Sequence, residues 1–262
     1  MARVDEDVSE DGDVSERQRW RRAPLLLVAL YLVAVSALFL AFPALDIAAA
    51  GLFHTEAGFP ATQIARLVAL RQLGDQLVIL VLLVLAASLI GKLLWPDRPI
   101  AIRPRSTAYL LAGLALGPGL VVNAILKTLS GRPRPYQTDL FGGAWPFEPA
   151  WHFGGACLSN CSFVAGEAST AMWLLAPCLL LPKEARLVVG IPVALVGLAL
   201  SLNRMAFGGH YLSDVLLSWG MTLGIILVLH RILIAGPLGA RIDAAVEPFL
   251  AAAGRRLRAR FR

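Results

Sequence analysis

The sequence predicts an all-α polytopic membrane protein, a bundle of six transmembrane helices with a functional site at the outer membrane face. Three observations carry that expectation. Of 262 residues, 57% are hydrophobic and only 16% charged, against about 25% charged in a soluble domain. Mean hydropathy is +0.67, and six apolar runs approach the ~20 residues that a helix needs to cross a bilayer. The 24 Lys and Arg residues are spread unevenly between the two sets of connecting loops. Such a chain cannot clothe a water-facing surface. Its 23 Gly, 16 Pro and 3 Cys also exclude collagen-like and disulfide-scaffold classes. A net charge of +6 on so apolar a protein points to anionic lipid or a phosphate ligand, not to nucleic acid.

The runs cover residues 23–45, 76–96, 106–126, 162–182, 187–203 and 211–230. The second is interrupted only by Lys92, whose apolar stem can snorkel. The fourth and sixth carry Glu167 and Asp214 near their starts. None alternates with the period of two expected of a barrel strand, so all read as helices. The first run exceeds a secretory h-region and follows an acidic stretch, as expected of a retained signal anchor. Residues 1–22 read as a disordered tail preceding a 23–235 membrane domain. Residues 236–262 form a second tail, where Phe249 and Leu257 lie beside Arg255, Arg256, Arg258 and Arg260. That pattern suits either an interfacial amphipathic helix on anionic lipid or a basic tail that serves only topology. Residues 61–72 predict another interfacial helix, on the outer face.

Eighteen of the 24 bases fall in the tails and loops on the N-terminal side, and six on the other. Cytoplasmic loops carry the Lys/Arg excess. Both termini are therefore expected in the cytoplasm, with the loops around 46–75, 127–161 and 204–210 facing outward.

On the outer side the ionisable residues sit at span ends. Lys127 closes the third span, Arg132 and Arg134 follow it, Arg204 closes the fifth, and His210 and Asp214 open the sixth. Spans three and five run outward while four and six run inward, so these ends meet at one face. Ionisable residues beside membrane spans point to function. Ammonium and guanidinium groups can neutralise a phosphate dianion, and helix N-termini add unpaired N–H groups. His210 and Asp214 are four residues apart, stacked on one helical face. A carboxylate there can hold the imidazole tautomer and free the other nitrogen to attack phosphorus. Gly208 and Gly209 let a phosphate approach the backbone. The carboxylates are too few and too scattered for a two-metal site, so no metal or cofactor is expected.

These residues resemble the type 2 phosphatidic acid phosphatase superfamily, whose signatures are K-x6-R-P, P-S-G-H and S-R-x5-H-x3-D. Lys127-x6-Arg134-Pro135 matches the first, and Asn203-Arg204-x5-His210-x3-Asp214 matches the third except for Asn203. The second appears as Val164-Ala165-Gly166-Glu167 at the expected distance. The resemblance implies a membrane lipid phosphatase in which Lys127, Arg134 and Arg204 bind phosphate. It further implies that His210 forms a phosphohistidine and that Asp214 orients it. Ala165 lacks the hydroxyl that the family uses on a phosphate oxygen. Glu167 stands where the family has the histidine that protonates the leaving group. A glutamic acid can serve there, although neighbouring arginines favour its carboxylate form. Weak acid assistance would call for a good leaving group, which ranks lipid A-type glycolipid phosphates first, polyprenyl pyrophosphate second and phosphatidic acid or phosphatidylglycerol phosphate third. The implied location is a bacterial inner membrane with the catalytic loops in the periplasm. A phosphotransferase between lipids and a catalytically weakened lipid-phosphate-binding protein are the alternatives.

The remaining features divide between function and packing. His152 is a substitute acid, and Arg132 is either a cap on the charged loop or a phosphate contact. Trp145, Phe147, Trp151 and Phe153 suit interfacial anchoring or the lip of a lipid opening. Cys157 and Cys161 can pair on an oxidising side or remain thiols. Arg66 and Arg71 have no assigned role.

Overall fold

The computed structural model describes residues 5–260, with side chains described from residue 23 onward. The backbone of residues 5–22 is helical and continuous with the first span, in place of the disordered tail expected there, and residues 1–4 lie outside the described residues. The order is α1 (Asp5–Ala41), α2 (Ala44–Gly51), α3 (Ala65–Leu94), α4 (Pro104–Leu129), α5 (Gly166–Trp173), α6 (Lys183–Ala206), α7 (Leu212–Ala235) and α8 (Pro237–Arg260). Two isolated bridges, Thr55 with Gly58 and Thr138 with Trp145, are the only β pairings among the described residues.

Among the described residues, five helices are long and apolar enough to cross a membrane: Ala23–Ala41 of α1, α3, α4, α6 and α7. Their outward faces are apolar, with Leu187 71% and Val188 72% exposed on α6 and Leu27 65% exposed on α1. The interior holds Ser169, Ser201, Ser218 and Thr222, all buried. This inversion suits a lipid solvent, where small polar side chains can bond between helices. Ser169 and Thr222 share a 2.6 Å hydrogen bond between α5 and α7. Close helix approach depends on missing side chains: a Cβ on Gly220 of α7 would lie 2.6 Å from Leu32 of α1.

The fourth predicted span differs from expectation. Residues 162–165 are non-helical and buried, with bends at 162–164, α5 is only eight residues long, and a separate turn covers Leu175–Cys178. Gly166 to Cys178 would reach about 20 Å as continuous helix, short of a ~30 Å hydrocarbon core. Pro177 explains the break, because its ring clashes with the carbonyl four residues back, and α5 ends at that residue, Trp173. The non-helical start has other partners. Ser162 N–H donates to Arg132 O at 2.8 Å and Ala165 N–H to Asp214 O at 3.2 Å. Buried on most sides, α5 is a central post between α4, α6 and α7.

Two further boundaries shift. The interfacial helix expected at residues 61–72 is not separate: from Ala65 it is the first part of α3. The first apolar run breaks at Phe42–Pro43, and α2 then carries Asp46 back toward α7. At the opposite end of the bundle from the residue 130–165 loop, α8 docks across α3 and α4. Lys92 pairs with Glu247 at 3.3 Å and Arg105 with Asp243 at 3.2 Å. Gly254 leaves room for the Leu93 carbonyl.

Candidate active site

The last turns of α4 and α6 and the first turns of α5 and α7 converge beneath the loop that runs from residue 130 to 165. Lys127 ends α4, and its Nζ lies 3.5 Å from Asn160 Oδ1. A Cβ on Gly166 would come within 3.0 Å of that Nζ, so the glycine opening α5 makes room for the lysine. Arg134 donates from Nε and Nη2 to Asn160 O, at 3.1 and 2.9 Å, and from Nη2 to Asn160 Oδ1 at 2.9 Å. The neighbouring Cys157 and Cys161 form a disulfide, which closes the small loop that presents Asn160. Arg204 ends α6 with its Nε 2.7 Å from Glu167 Oε2. A Cβ on Gly209 would lie 2.9 Å from Arg204 Nη2, so that glycine gives room to the guanidinium itself.

His210 follows this turn and is almost fully buried. Its Nδ1 lies 2.8 Å from the Ser162 carbonyl. A carbonyl only accepts, so Nδ1 carries the proton and Nε2 keeps its lone pair. Asp214 Oδ2 is 3.7 Å from Nδ1, too far for a hydrogen bond. The expected direct His210–Asp214 bond is thus replaced by a bond to backbone. Asp214 acts one step back: its Oδ2 accepts from Ser162 Oγ at 2.5 Å and from Tyr211 N–H at 2.9 Å. Burial, opposed by Asp214 and reinforced by the Arg134 and Lys127 cations, lowers the His210 pKa to about 4.

Arg132 belongs to neither role expected of it. It is fully buried beneath the site, with Nη1 2.6 Å from Asp214 Oδ1 and Nη2 2.7 Å from Asp46 Oδ2. Nε donates to Glu148 O at 2.8 Å, and the Tyr211 ring lies 4.3 Å from the guanidinium. Desolvation opposes its charge, but Asp214 and Asp46 more than offset this and raise its pKa. Burial raises Asp46 against the pull of Arg132.

Glu167 lies beside the cations, as its position in the second motif requires. Both of its oxygens face guanidinium groups, Oε2 toward Arg204 and Oε1 toward Arg71 Nε at 3.2 Å. Arg71 thereby joins the site. Ala165 is buried, its carbonyl accepting from Ser218 Oγ at 2.6 Å. His152 is 59% exposed and pairs with Glu148 at 2.5 Å, away from these contacts. The aromatic loop residues partly pack inward: Phe147 stacks edge-on against Tyr211, and Trp151 packs on Phe163 and bonds Ser36 of α1 at 2.9 Å.

Sequence reasoning missed Asp46, Ser162, Ser213 and Asn160. Asp46 carried a signal, being an acid in the alanine-rich ALDIAAAG stretch beside a span, where an ionisable group is unusual. The serines and Asn160 carried none, since uncharged polar residues are ordinary in loops.

A neutral imidazole buried among cations, at one end of an apolar helix bundle, is the arrangement of a membrane phosphatase. Residues 107–235 match the model of the PAP2 superfamily, and the chain belongs to that superfamily. It is similar to the lipid A 4'-phosphatase of Rhizobium leguminosarum, 39% identical over 200 residues that cover 71% of this chain and 86% of that protein. The Rhizobium etli lipid A 4'-phosphatase is 39% identical over 222 residues, 79% of this chain and 86% of its own length. The lipid A 4'-phosphatase of Francisella tularensis subsp. novicida is 43% identical over 108 residues, 41% of this chain and 49% of the relative. No solved structure matches the chain. The protein is a multi-pass membrane phosphatase acting in lipid metabolism.

Proposed function

We propose that the protein removes a terminal phosphate from a lipid A-type glycolipid through a phosphohistidine on His210. The observation that carries this is the 2.8 Å contact of His210 Nδ1 with the Ser162 carbonyl, which leaves Nε2 free beside three cationic side chains. Lys127, Arg134 and Arg204 would hold the phosphate oxygens. Nε2 attacks phosphorus, a P–N bond forms, and the P–O bond to the sugar breaks with a proton going to the leaving oxygen. Water then attacks the phosphohistidine, releasing inorganic phosphate and restoring the imidazole. The names of the three relatives support the lipid A class.

The 4' position of a sugar is not anomeric, so the sugar oxygen there is not the good leaving group on which the sequence-based ranking rested, and it leaves as a poor alkoxide unless protonated. This chemistry gives Glu167 its proton-donor role. Its resting pairs with Arg204 and Arg71 would first have to exchange, the incoming phosphate taking Arg204 and releasing the carboxyl to carry a proton toward the leaving oxygen.

Six membrane crossings with the site in the periplasm complete the proposal. α4 and α6 both end at the site, so the chain between them returns to the opposite end by way of α5. The Lys/Arg distribution supports cytoplasmic termini. Release of inorganic phosphate from a detergent-solubilised panel tests the substrate. Glycolipid phosphate should exceed polyprenyl pyrophosphate, and phosphatidic acid should be slowest; no release from the glycolipid would refute the assignment.

The buried histidine sets a pH dependence. Attack requires unprotonated Nε2, and a pKa lowered to about 4 keeps the imidazole neutral as pH falls from 7 toward 5. The acid limb of kcat/KM assigned to His210 should therefore lie near pH 4, below the ~6.5 of an ordinary histidine. A limb near 6.5 in the pH profile would contradict the buried, cation-flanked nucleophile.

A further inference from the structure

Beneath the nucleophile lies a buried charge cluster that its proposed chemistry does not yet use. Asp46, on α2, lies outside the 107–235 superfamily match and is fully buried. Its carboxylate accepts from three donors: Oδ1 from Ser213 N–H at 2.8 Å, and Oδ2 from Ser213 Oγ at 2.6 Å and Arg132 Nη2 at 2.7 Å. Arg132 in turn donates to Asp214 Oδ1 at 2.6 Å. Asp214 Oδ2 accepts from Ser162 Oγ, and the Ser162 carbonyl meets His210 Nδ1. Hydrogen bonds from Asp46 through Arg132 and Asp214 thus reach the side chain of Ser162, whose own backbone carbonyl holds the imidazole.

The count of charges along this path matters. Arg132 with Asp214 alone would be a neutral pair, and His210 would face no net charge from below. With Asp46 as a second carboxylate on the same guanidinium, the trio carries one net negative charge. Burying two carboxylates around one arginine is costly, and three donors on Asp46 offset only part of that cost. We propose that Asp46 is a positioning residue for the reaction: by sharing Arg132 it leaves Asp214 with negative charge to stabilise the cation that forms on His210. As Nε2 bonds to phosphorus and the leaving oxygen departs with its proton, Nδ1 keeps its own proton. The ring then becomes positive in a site already holding Lys127, Arg134 and Arg204. The trio offsets that added charge, and in a water-poor interior such an offset is large.

This inference rests on His210 being the nucleophile, and the experiment separates the two. Phosphate release is measured in detergent with glycolipid phosphate for wild type, His210→Ala, Asp46→Asn and the double variant Asp46→Asn/Arg132→Gln, each purified as a monodisperse folded species. Asp46→Asn should lower kcat about 10- to 100-fold with KM within about threefold, a smaller loss than the roughly 10⁴-fold expected on disabling a directly bonded orienting carboxylate. The double variant removes one negative and one positive charge, restores the net negative charge at Asp214, and should recover at least tenfold in kcat over Asp46→Asn. A purely structural Asp46 would lower the thermal stability of Asp46→Asn while leaving kcat of the purified folded species near wild type. Wild-type kcat in Asp46→Asn, or a double variant no faster than it, overturns the proposal while an inactive His210→Ala keeps the nucleophile assignment. An active His210→Ala removes the nucleophile assignment itself. If Asp46→Asn does not fold, the double variant decides: kcat within tenfold of wild type supports the charge role, and a greater loss, or failure to fold, overturns it.

Discussion

A His210→Ala protein should release no measurable phosphate from any lipid in the panel, a loss of at least about 10⁴-fold in kcat. The size of that effect follows from the absence of a substitute. The other histidine in the same loop region, His152, is exposed and paired with Glu148. The buried carboxylates Asp46 and Asp214 are held by Arg132, so neither is free to attack. KM should change little, because the phosphate would still meet Lys127, Arg134 and Arg204. Rapid acid-free quenching with a labelled lipid phosphate should trap label on wild type and none on His210→Ala. Label on the variant would mean that another side chain, or water directly, attacks phosphorus.

Glu167→Gln should separate leaving-group chemistry from phosphate binding. Glutamine keeps the size of the side chain and cannot protonate an alkoxide. Turnover of a sugar monoester should fall about 10²- to 10³-fold, the range of general acid catalysis. Attack on the terminal phosphorus of a polyprenyl pyrophosphate expels polyprenyl phosphate, a stable anion that needs little protonation, so its kcat should fall less than tenfold. The same substitution releases Arg204 and Arg71 from their carboxylate, which should lower KM for both substrates. Equal losses on the two substrates would assign Glu167 to holding the arginines and not to proton transfer.

Much of the site was legible because the ionisable residues are sparse. In a chain with 16% charged residues, each cation at a span end stands out, and Lys127, Arg134, Arg204, Glu167, His210 and Asp214 were all found that way. Five spans were legible for the same reason, since a lipid-facing helix must be apolar along its length. The fourth run gave no sign of its short, buried helix, because burial inside a bundle and exposure to lipid demand the same apolar composition. Only the partners of residues 162–165 and the position of Pro177 made it a bent segment and a short helix. Arg71 stayed without a role because its partner, Glu167, is 96 residues away.

The sequence by itself determined an apolar, multi-pass helical phosphatase, its superfamily, and six candidate ionisable residues at and beside the span ends, because hydropathy and motif spacing are properties of the chain alone. The tertiary structure decided how those residues are wired. It placed Arg132 beneath the site and not at the phosphate, gave the His210 proton to the Ser162 carbonyl in place of Asp214, and brought Asp46 to Ser213 across 167 residues of chain. Hydrogen bonds of 2.5 to 3 Å between distant segments leave no periodic trace in a sequence. They are set by how closely the helices and the folded loop pack, and that packing arises only in three dimensions.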